Sequence, residues 1–131
     1  MERKIEIVSD LQNICELEFF LNCVKADANI SRKNFCRMFL SINEAVVNSL
    51  KHGNQLDGDK KVVIQFIERE DSYHFKIEDE GFGFCYDDLP NPIDTVNITK
   101  ESGRGIFIMK QYSDKLYFEE NGRVVNLLYF K

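Results

Sequence analysis

The sequence predicts an α+β domain, a two-layer sandwich with helices on one face of a mixed, largely antiparallel sheet. Three observations carry this. The patterns run strand, two helices, two strands, a long irregular stretch, one helix, two strands, so strands come in groups instead of alternating with helices. Phe35, Met38, Phe39, Ile42, Ala45, Val46 and Leu50 share one side of a helical wheel, which marks a central helix with an apolar stripe. Asn121-Gly122 separates two strand patterns near the C-terminus, a strong hairpin signal.

Length and charge bound the reading. The 131 residues make one domain, 1–131. The net charge of −5 argues against a general nucleic-acid binder. No stretch approaches the roughly 20 apolar residues that span a bilayer. The start, MERKIEIVSD, has no signal-peptide core, so the chain reads as cytoplasmic. Cys15, Cys23, Cys36 and Cys85 lack CxxC spacing and read as buried free thiols, not as a zinc or disulfide framework.

The elements follow in order. Lys4 to Val8 is a short first strand. Ser9 with Gln12 matches a capping box, and a helix follows from about Asp10 to Ala26. Its apolar side is Leu11, Ile14, Cys15, Leu17, Phe20, Leu21 and Val24. Asn29 to Ser31 is a turn, and Ser31 caps the central helix. That helix ends at Gly53, read as a left-handed cap, and a polar loop runs to Lys60. Lys61 to Glu68 and Tyr73 to Asp79 are strands joined by the turn Arg69-Glu70-Asp71-Ser72. A long stretch from Glu80 to Gly105 follows, and long irregular loops are often functional. Ile106 to Tyr112 is a short apolar helix. Lys115 to Glu119 and Arg123 to Phe130 are the last strands. Val63, Ile67, Val125, Leu127 and Tyr129 are expected to point away from the helices. There they serve a homodimer or another protein, or they form an ordinary half-covered sheet.

Three segments carry chemistry. On the central helix, Arg37, Ser41, Glu44, Asn48 and Lys51 form a polar stripe opposite the apolar one. Glu44 and Asn48, four apart, are neighbours. One can take a proton and the other can offer oxygen to a hard cation such as Mg²⁺, although a merely solvated face would look the same. His52 falls on the apolar side and reads as structural. In the second segment, Asp79 follows Tyr73, Phe75 and Ile77 on the core-facing parity, where a carboxylate is costly unless paired. Gly81 and Gly83 would let backbone approach a flat ring or a phosphate, or they make a plain turn. The third segment, Gly103-Arg104-Gly105, opens a helix, whose free N–H groups suit a phosphate. Glu78, Asp79, Glu80, Asp87 and Asp88 crowd the rim. A polyanion would need Mg²⁺, Lys51, Arg104 and Lys100 to offset them, so nucleotide binding should depend strongly on metal.

These segments resemble a known family. Asn43-Glu44-Ala45-Val46-Val47-Asn48-Ser49 with His52-Gly53 is similar to the N box of the ATPase superfamily that includes gyrase B, MutL repair proteins and histidine kinases. Glu78-Asp79-Glu80-Gly81-Phe82-Gly83-Phe84 resembles its G1 box, and Ser102-Gly103-Arg104-Gly105-Ile106-Phe107-Ile108-Met109 its G2 box. Within the superfamily the chain is most similar to the anti-sigma factor serine/threonine kinases of bacterial partner-switching systems. The resemblance implies a Bergerat, histidine-kinase-like ATPase fold. It makes Glu44 the general base, Asn48 the Mg²⁺ ligand and Asp79 the reader of the adenine amine, with Gly81 and Gly83 shaping that pocket. Gly103, Arg104 and Gly105 would contact phosphates, Lys51 is compatible with a phosphate role, and the segment near Asp94 to Ser102 would be the lid. The implied activity is transfer of the ATP γ-phosphate to a serine of an anti-anti-sigma (STAS-domain) partner, with sequestration of a sigma factor by a homodimer. The alternative is a nucleotide-switched binding protein without phosphotransfer.

Overall fold

Five strands form the single sheet of this computed structural model, which describes residues 1–81 and 101–131. They are β1 (Glu2–Val8), β2 (Lys61–Glu68), β3 (Ser72–Glu78), β4 (Lys115–Glu119) and β5 (Val124–Phe130), in spatial order β1-β2-β3-β5-β4. The sheet expected to be mixed but largely antiparallel is antiparallel at every pairing among the described residues. Among the described residues three helices accompany it: α1 (Ile14–Asp27), α2 (Arg32–Asn48) and α3 (Glu101–Tyr112). The chain leaves β3 in the middle, passes through α3, and returns at the far edge as β4. β5 then fills the gap between them.

Register explains which face is buried. Ile5 pairs with Ile64, Ile64 with Ile77, Phe66 with Phe75, Phe75 with Leu127, and Tyr73 with Tyr129. Side chains alternate along a strand, so these pairs line one face. Leu17, Leu21 and Val24 of α1 and Met38, Ile42, Ala45, Val46 and Leu50 of the central helix close over it in one cluster. The expectation that Val125, Leu127 and Tyr129 point outward is therefore corrected. They are 1%, 0% and 0% exposed and belong to the core, because β5 begins at Val124 and its odd positions pair with the odd positions of β3. The opposite face instead carries a polar ladder. The His74 ring nitrogen Nε2 meets Asn126 Oδ1 at 2.8 Å, and Asn126 Nδ2 donates to Glu119 Oε1 at 2.7 Å.

Local chemistry sets the ends. Ser31 Oγ accepts from the Asn34 N–H at 3.2 Å and caps α2 as expected. The Ser9 cap is corrected: Asp10 accepts from the Gln12 N–H, a short 3₁₀ turn (Leu11–Asn13) leads into α1, and Ser9 is buried with another task. Cys15, Cys23 and Cys36 are exposed free thiols, not buried ones, because α1 buries only the stripe Leu17, Phe20, Leu21 and Val24, and the buried positions of α2 begin at Met38. The Asn121-Gly122 hairpin is present, but its loop runs from Glu120 to Arg123 with positive φ at Glu120, Asn121 and Gly122. Among the described residues no helix is long and apolar enough to cross a membrane.

Candidate functional site

The polar stripe of α2 is not a solvated face, because α3 packs along it. Its first half is structural. Arg37 donates to Asn34 Oδ1 at 2.9 Å and to Asp114 Oδ2 at 3.1 Å. Ser41 Oγ donates to the Arg37 carbonyl at 2.7 Å and also pairs with the Tyr129 hydroxyl. Burial pushes the Asp114 carboxyl up, but the Arg37 guanidinium and the Phe130 N–H together hold it below the usual carboxylate range. Burial pushes the Tyr129 phenol well above its ordinary value.

The second half faces a crevice lined by Glu44, Val47, Asn48, His52 and Gly105. Glu44 is half-buried and Asn48 is 8% exposed. The helix does not simply stop at Gly53. From Ser49 to Gly53 it widens into a π turn, in which the Asn54 N–H reaches back five residues to the Ser49 carbonyl at 2.8 Å. In an α-helix four residues advance about 40° beyond a full turn, which would carry His52 away from Asn48 toward the apolar side. The wider turn advances less per residue, so His52 stays in line with Asn48. The structural reading of His52 is thus corrected: it is exposed and lines the crevice.

Gly53 does not take a left-handed conformation, so its expected role as a cap is corrected as well. What requires glycine there is space. A β-carbon on Gly53 would lie 2.2 Å from Asp79 Oδ2, and one on Gly81 would lie 1.9 Å from the Gly53 carbonyl oxygen. Asp79 sits where strand parity put it, 3% exposed, directly after the buried Tyr73, Phe75 and Ile77. Burial pushes its carboxyl up, and the Gly81 N–H, donating to Oδ1 at 2.8 Å, and the charge of Arg123 pull it partly back. A desolvated carboxylate with one oxygen engaged suits a ligand group that donates a hydrogen bond.

Next to it, Asn54 is fully buried. Its Nδ2 donates to Ser9 Oγ at 2.7 Å and to the Lys61 carbonyl at 2.9 Å, and its Oδ1 accepts from the Glu80 N–H at 2.7 Å. The sequence reading missed this hub. The available signal was a polar residue placed directly after the glycine that ends the central helix.

The third segment differs from expectation in one respect. α3 begins at Glu101, so Gly103, Arg104 and Gly105 lie inside its first turns and do not precede it. Gly105 is buried against α2, where a β-carbon would come 3.4 Å from Glu44 Oε2, while Gly103 is half-buried and Arg104 exposed. The crevice beside Glu44 measures about 10 Å³, roughly the room of one water. Lys51 is half-buried and does not line it. The structure therefore brings Glu44, Asn48, His52 and Gly105 together. Asp79 and Gly81 meet Gly53 and Asn54 at the end of the same helix. Gly83, Cys85, Lys100 and most of the expected lid lie outside the described residues.

Oxygen donors from Glu44 and Asn48 fit a hard cation such as Mg²⁺ better than a thiophilic metal. A separate concavity of about 330 Å³ involves Glu6, Lys61, Val63, Glu78, Asp79, Glu80 and Arg123. Its acids outnumber its bases, which suits a triphosphate poorly.

The family profile described as a histidine kinase-like ATPase domain matches residues 7–129. The serine-protein kinase RsbW of Listeria monocytogenes is 23% identical over 117 residues, which covers 83% of this chain and 74% of that protein. An anti-sigma F factor of Clostridium perfringens is 33% identical over 85 residues, 62% of this chain and 61% of its own length. An anti-sigma F factor of Geobacillus thermodenitrificans is 29% identical over 92 residues, 69% and 63% respectively. The family profile spans nearly the whole chain: the protein belongs to the histidine kinase-like ATPase family.

Proposed function

We propose that the protein is an ATP-dependent serine/threonine kinase that phosphorylates a serine of an anti-anti-sigma (STAS-domain) partner and sequesters a sigma factor, acting as a homodimer in the cytoplasm. The observation that carries the ATP reading is the buried Asp79 carboxylate, packed against Gly53 and held by the Gly81 N–H, at one end of the helix whose preceding turns present Asn48 and Glu44. The names of the relatives support the partner reading.

Asp79 accepts a hydrogen bond from the exocyclic amine of adenine, with Gly81 and Gly83 shaping that pocket. Asn48 offers its side-chain oxygen to Mg²⁺, which supplies charge neutralisation on the phosphates. Gly103, Arg104 and Gly105 face the phosphates, and Lys51 adds positive charge. Glu44 takes the proton of the attacking serine hydroxyl as its oxygen bonds to the γ-phosphorus and the bond to the ADP oxygen breaks.

Calorimetry with and without Mg²⁺, on wild type and Asp79→Ala, tests the site. Metal-dependent ATP binding that the variant loses is the expected result, and no binding by wild type would overturn the reading. Glu44→Ala should bind ATP yet fail to phosphorylate a STAS-domain protein. Wild-type binding without any transfer would leave the nucleotide-switched binding protein instead.

A further inference from the structure

We infer that Asn54 is the positioning residue for the Asp79 carboxylate and thereby sets preference for adenine over guanine nucleotides. The inference rests on the ATP reading above. Asp79 itself is held on both sides of its α-carbon. Its own N–H donates to the Arg123 carbonyl at 3.1 Å, and the next peptide, through the Glu80 N–H, donates to Asn54 Oδ1 at 2.7 Å. Asn54 is in turn fixed. The Lys61 carbonyl can only accept and the Glu80 N–H can only donate, so the amide has one orientation. Ser9 Oγ takes its remaining donor at 2.7 Å, and its backbone N–H closes the π turn on Ser49. Asn54 therefore ties the strand end that carries Asp79 to the helix end that carries Gly53, the residue whose missing β-carbon makes room for that carboxylate.

Adenine presents a donor to Asp79 where guanine presents a carbonyl oxygen. The phosphates of ATP and GTP are the same, so the ratio of the two affinities isolates the base-reading end. A site that hydrogen-bonds one group loses discrimination when that group's partner moves.

The test measures Kd for ATP and GTP, each with Mg²⁺, on wild type, Asn54→Ala, Asn54→Asp and Ser9→Ala, alongside thermal melts. Asn54→Ala should cut the preference for ATP by about tenfold or more, since misplacement near 1 Å costs up to about a hundredfold. Asn54→Asp keeps an acceptor for the Glu80 N–H but sets an oxygen against the Lys61 carbonyl, so it should lose stability and retain preference. Ser9→Ala should lose stability alone. If Asn54→Ala does not fold, Asn54→Ser, polar and small enough to admit water, replaces it with the same expectation. Preference unchanged in a folded Asn54→Ala or Asn54→Ser would overturn the inference, as would an equal loss in Ser9→Ala. A wild type with no preference would overturn the reading of Asp79 itself, a separate failure.

Discussion

The carboxylate of Asp79 occupies the space that a side chain on Gly53 would need: a β-carbon there would lie 2.2 Å from Oδ2 and 2.4 Å from the carboxyl carbon. Gly53→Ala must therefore displace Asp79. Overpacking of this kind costs about 1–3 kcal/mol. We expect that loss in urea melts, together with loss of ATP binding. Gly58→Ala is the control, because nothing lies within 4 Å of its β-carbon and its φ is not positive, so its melt should be unchanged or slightly raised.

Asp79→Asn should raise the melting temperature by a few degrees at pH 7 while abolishing adenine binding. Burial raises the folded-state pKa of Asp79 above its unfolded value, so across that window the folded state binds more protons than the unfolded one. Stability from this group is greatest below the unfolded pKa and falls as pH rises through the folded pKa. The asparagine variant should lack that fall. Melts from pH 4 to 8 check both points, and a variant less stable than wild type at pH 7 would contradict the account.

Gly105→Ala sets helix propensity against the crevice. Alanine in a helix interior is favoured over glycine by about 1 kcal/mol. Its β-carbon would sit 3.4 Å from Glu44 Oε2, tight but tolerable. The variant should melt at the same or a higher temperature and transfer phosphate more slowly, and a stopped assay at saturating ATP reads the difference.

Asp114→Asn probes the opposite linkage. The partners of Asp114 lower its folded pKa, so its contribution is present above the unfolded value and lost as pH falls through the folded one. Both Arg37 and Asp114 are partly solvated, at 26% and 28% exposed, which limits the effect to about 0.5–1 kcal/mol. Wild type and variant should differ at pH 7 and converge only as pH falls below the ordinary carboxylate range.

The fold was legible because its signals are periodic. Tyr73, Phe75 and Ile77 announced the face of β3 and the buried place of Asp79, and the α2 stripe announced the core helix. β5 was assigned to the wrong face because its even positions Val124, Asn126 and Leu128 are also largely covered, so burial does not alternate there. Glu44, Asn48, Asp79, Gly81 and Gly105 were singled out by residue type and spacing, and the structure places them along and at the end of α2. His52, Gly53 and Asn54 were misread or missed for a common reason. Their roles depend on a helix end that leaves the 3.6-residue period, and on contacts with Asp79 and Glu80, more than 25 residues away in the chain. No local pattern encodes either.

The π turn also makes the end of α2 a rotary index. Deleting one residue between Ser49 and Gly53 would let that turn tighten to α-helical pitch, while β2 and the sheet keep their anchor at Asn54. One residue is worth about 100° of rotation. Chain length at this point, more than side-chain chemistry, selects which residue follows Asn48 along the crevice. A single-residue insertion or deletion here would change which residue stands in the place of His52 and leave Glu44 and Asn48, which precede the turn, where they are.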